Sequence, residues 1–157
     1  MTSIRTILSL VPVEDLHLEQ LHLKIAFLHG DLEEEIYMEK PQGYMVTGKE
    51  KMVCRLKKSL YGLKQAPRQW YLKFDRFMAD QGYTRCHSDH CVYFRKVDGG
   101  GYNILLLYVD DMLLVGSNMQ DIDVLQEKLV ESFAIKDLGA TKLILGIRIN
   151  RDTKIGS

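Results

Sequence analysis

The sequence predicts an α+β domain: an antiparallel sheet with helices on one face, in the strand–helix–strand–strand–helix–strand order of a ferredoxin-like unit. Three observations carry that expectation. Residues 21–27 alternate apolar and polar side chains, the period of a half-buried strand. Two runs rich in Val, Ile, Leu and Tyr, Asn103–Tyr108 and Met112–Gly116, flank the adjacent carboxylates Asp110 and Asp111, as two buried strands joined by a tight turn would. Two further segments, Trp70–Met78 and Ile122–Phe133, repeat apolar residues at helical spacing.

In chain order, Ile4, Ile7 and Leu8 predict a short helix over residues 2–10. In the strand that follows, Leu21, Leu23, Ile25 and Phe27 share one face and His22, Lys24 and Ala26 the other, with Gly30-Asp31 as its end. A short strand around Ile36–Glu39 stops at Pro41, and Pro41-Gln42-Gly43 and Thr47-Gly48 punctuate a surface loop. Met52–Leu56 is extended and precedes a Tyr61-Gly62 turn. Pro67 suits a helix start, since its missing N–H costs nothing there. Trp70, Phe74, Phe77 and Met78 form that helix's apolar stripe, with Phe74 and Phe77 read as core, and Gly82 is its stop. Cys91–Arg95 alternates as a strand, and Asp98-Gly99-Gly100-Gly101 turns the chain into the central pair. Ser117 or Asn118 can cap a helix carrying Ile122, Leu125, Leu129 and Phe133. Leu138-Gly139 breaks it, and Leu143, Leu145, Ile147 and Ile149 alternate as the closing strand.

With 157 residues the chain is long enough to bury a core and is read as one domain. Lys and Arg total 21, as do Asp and Glu, so net charge selects no partner. The distribution is more telling. Asp31, Glu33, Glu34, Glu35 and Glu39 crowd one segment, whereas from Lys51 to Phe74 there is no acid. That stretch carries Lys51, Arg55, Lys57, Lys58, Lys64, Arg68 and Lys73 with Tyr61, Trp70 and Tyr71 between them. It fits either a solvated surface or a track for a nucleic-acid backbone. Cys54, Cys86 and Cys91 are an odd number without a secretory context, as in an intracellular protein with reduced thiols. The apolar stretch Ile7–Val13 is interrupted by Pro12 and is too short to cross a membrane, so neither a targeting segment nor a membrane partner is expected. Cys86-His87-Ser88-Asp89-His90-Cys91 holds zinc-ligand residue types, but its spacing matches no CxxC or HxxxH pair. Surface histidines and a buried Cys91 are the expectation there.

Two carboxylates held together at a hairpin tip repel each other unless a cation lies between them, and a hard ion such as Mg²⁺ suits oxygen ligands. An isolated Asp-Asp reads more simply as a polar turn. The tetrapeptide Tyr108-Val109-Asp110-Asp111, however, resembles the catalytic hairpin of reverse transcriptases. The runs from Ala26 to Pro41 and from Ser59 to Trp70 resemble the copia-type retrotransposon Pol polyprotein, and the resemblance covers nearly the whole chain. It implies a polymerase palm over residues 1–157, with the fingers mostly missing and the thumb, connection and ribonuclease H parts absent. It also implies an RNA-directed DNA polymerase using two Mg²⁺ ions, an RNA template, a DNA primer and deoxynucleoside triphosphates, working in the cytoplasm within a virus-like particle.

The resemblance implies three aspartates, and Asp110 and Asp111 match two of them. The family's first-strand motif usually reads Gln-(Leu/Met)-Asp-Val-Lys-Thr-Ala-Phe-Leu, whereas here it stands as Gln20-Leu21-His22-Leu23-Lys24-Ile25-Ala26-Phe27-Leu28. His22 thus occupies the place of the first catalytic aspartate. A neutral imidazole brings no negative charge and a single nitrogen where Mg²⁺ prefers oxygen. The expectation is a centre inactive, or nearly so, with Mg²⁺; Mn²⁺ tolerates imidazole better. Phe27 matches the aromatic beneath the incoming sugar, where a ring would exclude a ribose 2′-OH, and reads equally as a core residue on an alternating strand. Tyr61, Gly62, Lys64, Pro67 and Arg68 resemble the segment that contacts template and nucleotide, with Lys64 either a phosphate contact or a solvated lysine. Leu145 and Gly146 resemble the primer grip.

Three functions follow from these residues. The first is a reverse transcriptase domain by descent, and the second a non-catalytic nucleic-acid-binding remnant. The third is a decayed fragment with no selected role. Salt-dependent binding to RNA–DNA hybrids without nucleotide incorporation would favour the second.

Overall fold

Ile4, Ile7 and Val11 recur one helical turn apart, and in a computed structural model of the chain they line the buried side of α1 (Thr2–Val13). The structure describes residues 2–49, 51–140, 143–144 and 147–149, with the backbone alone for 2, 137–140, 143 and 144. α1 runs past the expected end at Leu10 and takes in Pro12, which sits in the last turn where its missing N–H removes a single bond. β1 follows (His17–Leu23). Its expected alternation through Phe27 fails, because Ile25 takes a positive φ of 57° and swings the chain out of the strand. Ile25 is left 63% exposed, Ala26 is buried, and Ala26–His29 close into a 3₁₀ turn.

The chain divides into two compact units, Met1–Ile25 with Arg76–Ser157, and Ala26–Asp75. The second unit holds the 3₁₀ turn, the antiparallel pair β2 (Tyr37–Met38) and β3 (Cys54–Arg55), and most of α2 (Ala66–Asp80). Ala26, Ala66, Trp70 and Phe74 form its core. Gly30 lets the 3₁₀ turn lie against α2: a Cβ there would come within 3.1 Å of Gln69 Cβ and the Trp70 nitrogen. α2 ends in a Schellman motif at the expected glycine. The Gly82 N–H bonds to the Ala79 carbonyl, the Tyr83 N–H to that of Met78, and Gly82 has φ 76°.

In the first unit follow β4 (Thr84–Arg85), β5 (Val92–Lys96), β6 (Tyr102–Tyr108), β7 (Asp111–Gly116), α3 (Met119–Ser132) and β8 (Ile135–Ala140). They build an antiparallel six-stranded sheet in the order β4-β5-β6-β7-β1-β8. Asn118, one of the two expected caps, accepts the Gln120 N–H at 2.9 Å, and Ile122, Leu125 and Leu129 are buried as the stripe requires.

Two expectations need correction. The strand closing the sheet against β1 is β8, which runs through Leu138-Gly139 instead of breaking there. A register shift at Gln20/Leu21 absorbs the extra residue, so Gln20 pairs with Gly139 and Leu21 with Asp137. The segment expected to close the sheet instead forms β9 (Leu143–Ile144) and β10 (Ile147–Arg148), a separate two-stranded ladder. Nor do the helices lie on one face. Leu113 and Val115 of β7 pack with Ile4, Ile7 and Val11 of α1, whereas Gly116, of opposite parity, lies under Ile122 of α3. Both faces are covered, which is why Met112–Val115 is one continuous apolar run and not an alternating one.

Candidate active site

Tyr108 pairs with Asp111, which leaves Val109 and Asp110 as a two-residue loop between β6 and β7. Val109 has φ 56°, and Asp110 is not in the positive region. A left-handed residue at the first loop position alone is the pattern of a type II′ turn, which matches the right-handed twist of the strands. That position favours glycine, and a β-branched side chain there stores roughly 1–3 kcal/mol of strain. The Leu23 N–H donates to the Asp110 carbonyl at 2.7 Å, tying the end of β1 to the loop.

This ladder sets His22 directly opposite Asp111. Side chains of a directly opposed pair share a face of the sheet, and His22 Nδ1 lies 3.1 Å from Asp111 Oδ1. A carboxylate accepts and does not donate, so the bond runs from Nδ1–H to Oδ1. The two side chains are 40% and 32% exposed, open enough for solutes to reach them. Among the described residues no three His, Cys, Asp or Glu side chains are grouped as metal ligands, at the hairpin or in the Cys86–Cys91 segment. In that segment Asp89 instead accepts the Cys91 N–H at 3.0 Å, and Cys91 is half-buried.

The candidate residues from Phe27 to Arg68 lie in the second unit. Phe27 is not on a strand but in the 3₁₀ turn, with its ring centroid 5.3 Å from that of Tyr61. The Leu63 N–H bonds to the Leu60 carbonyl and closes a turn whose third residue, Gly62, has φ 98°, a position made for glycine. Tyr61 is 86% exposed, and Lys64, Pro67 and Arg68 are exposed too. Trp70 departs from the basic track. It is fully buried, its ring tilted against those of Phe74 and His29 at centroid distances of 5.3 Å and 6.0 Å, so it belongs to the core and not to a nucleic-acid surface. Leu145 and Gly146 lie outside the described residues.

The family whose description is reverse transcriptase (RNA-dependent DNA polymerase) matches residues 1–156. This chain belongs to it. The chain is 60% identical over 152 residues to the retrovirus-related Pol polyprotein from transposon TNT 1-94 of Nicotiana tabacum, covering 97% of this chain and 11% of that protein. It is 33% identical over 150 residues to the Pol polyprotein from transposon RE1 of Arabidopsis thaliana, covering 96% and 10%. A putative transposon Ty5-1 protein of Saccharomyces cerevisiae is 31% identical over 128 residues, covering 82% and 41%. The chain therefore spans about a tenth of the length of these plant Pol polyproteins. No solved structure matches. Among the described residues of this reverse transcriptase chain, no helix is long and apolar enough to cross a membrane.

The second unit carries opposite charges in two stretches that the sequence displays side by side. The acidic run and the basic run partly neutralise each other: Arg55 is ion-paired with Glu35 at 2.5 Å and Lys73 with Asp31 at 3.4 Å. Their opposite charge was the signal. Burial, and then the Lys73 and Lys58 ammonium groups, hold the His29 imidazole below its usual pKa, so these two lysines face the same spot.

Proposed function

We propose that this chain is the palm-bearing part of a copia-type reverse transcriptase, one that keeps the hairpin carboxylates but does not transfer nucleotides with Mg²⁺. Four strands in the order β8-β1-β7-β6, with α2 in the crossover from β1 to β6 and α3 in that from β7 to β8, support the palm reading. The observation that carries the rest is the 3.1 Å contact between His22 and Asp111. The residue in the expected position of the first catalytic aspartate points at the hairpin, and it is an imidazole.

This donor set does not fit a pair of Mg²⁺ ions. Bridging two hard cations calls for several anionic oxygens, and the hairpin offers two carboxylates, one of them already bonded to a nitrogen base. Tyr61, Gly62, Lys64, Pro67 and Arg68 are proposed to meet template and nucleotide, Phe27 the incoming sugar, and Leu145 and Gly146 the primer. Exposure of Tyr61, Lys64 and Arg68 supports the first of these.

The test is primer extension on an RNA template. Residues 1–157 replace the corresponding segment of an active relative, with and without His22→Asp. The histidine form should be at least about a hundred-fold slower with Mg²⁺, since loss of a metal-site partner alone costs up to that factor. Equal rates would overturn the proposal.

A further inference from the structure

The mismatch at the hairpin has a second consequence, for folding instead of catalysis. We propose that His22 takes over the structural task of the divalent cation at this centre: its Nδ1–H holds Asp111 in place and withdraws that carboxylate from metal binding, so the fold is indifferent to divalent ions. The proposal rests on the reading of the hairpin as a polymerase centre only in choosing aspartate as the comparison residue.

The argument begins with the register. Residues 22 and 111 are a directly opposed antiparallel pair, and Asp110 adjoins them in the turn. Like charges directly opposite each other across two strands destabilise a sheet. An aspartate at position 22 would therefore bring a third carboxylate to a loop that already carries two, and the cluster would depend on a bound cation for relief. Histidine removes the need. It offers a hydrogen-bond donor to the nearer Asp111 oxygen at 3.1 Å, and it adds no negative charge. The same bond makes Asp111 a poorer ligand, because a cation must compete with the imidazole for that oxygen.

The experiment is thermal unfolding of the purified chain in EDTA and in millimolar Mg²⁺ or Mn²⁺, with Mn²⁺ binding followed by electron paramagnetic resonance. Wild type, His22→Asp and His22→Ala are compared. The wild type should unfold at the same temperature in all three solutions. His22→Asp should be less stable than wild type in EDTA, gain stability from either ion by mass action, and bind Mn²⁺ about tenfold or more tightly than wild type. His22→Ala should lose stability in EDTA and, with Asp111 released, gain a response to metal smaller than that of His22→Asp. If His22→Asp folds only when metal is present, that outcome also supports the proposal. A wild-type midpoint that rises with Mg²⁺ as much as that of His22→Asp would overturn it, as would a His22→Asp variant equal to wild type in EDTA. The outcome is separable from that of primer extension. Should His22→Asp gain metal binding but no polymerase activity, the palm reading falls and this inference stands.

Discussion

At its tip the β6–β7 hairpin carries a valine in the left-handed region beside half-exposed Asp110 and Asp111, with half-exposed His22 of β1 opposite. At its base Asn103 is 2% exposed and lies across Gly116, where any Cβ would collide with the Asn103 amide oxygen. That amide sits close enough to the Tyr83 hydroxyl to favour its ionised form, though no well-aligned hydrogen bond joins them. Burial outweighs this and raises the Tyr83 pKa, while the Arg95 guanidinium, 5.1 Å over the ring and 3.7 Å from Asp121, pulls the other way. The base spends its residues on close packing. The tip accepts strain and exposure, the usual arrangement where side chains must meet something outside the chain.

The sharpest way to break this comparison is Gly116→Ala. The new methyl forces the buried Asn103 amide off its place and crowds Ile122, whose Cγ1 is 3.4 Å away. Overpacking of this buried contact should cost about 1–3 kcal/mol in urea unfolding. A loss below about 1 kcal/mol would mean the base yields as easily as the tip. Val109→Asn tests the other end with the opposite sign. Asparagine tolerates positive φ far better than a β-branched residue, so the variant should be more stable by about 1 kcal/mol. A destabilised variant would show that the valine is held there by packing and not endured as strain.

How much of this was legible depends on how local each signal is. The Asn118 cap, the Ile122–Leu125–Leu129 stripe and the Gly82 stop each follow from a few neighbouring residues, and all are found. The core role of Phe74 was likewise readable from spacing. Signals set by distant partners misled. Gly139 read as a breaker because the register shift opposite Gln20 is a property of two strands, not one. Trp70 fitted both the apolar stripe of its helix and the basic track, and only the packing of α2 places it in the core. Ile25 and Val109 are strong strand formers, and nothing in their own chemistry announces a left-handed backbone. The candidate site is the mixed case. Asp110 and Asp111 stand out in the sequence, and His22 does so through the family motif, but their 3.1 Å meeting depends on the β1–β7 register.

The smallest effect is expected far from the tip, at the N-terminus of α1. Asp89, in the loop before β5, lies near the Ser3 hydroxyl and accepts the Cys91 N–H, and these two donors, in that order, lower its carboxyl pKa from the usual 3.8. Ser3 lies in the first turn of α1, so the carboxylate also faces the positive end of a helix dipole. The contact joins the helix that covers one sheet face to the loop that leads into the sheet. A depressed pKa means that the folded state binds the proton less readily than the unfolded one. Its stabilising contribution is therefore complete above the unfolded value and is lost as pH falls through the folded value. Asp89→Asn should accordingly be less stable than wild type at neutral pH, and the difference should shrink as the solution is acidified below about pH 4. Because the carboxyl is only partly buried, the effect should be modest and should weaken in salt. A wild-type advantage that persists unchanged into strong acid would assign the contact to the hydrogen-bond geometry of either side chain and not to the carboxylate charge.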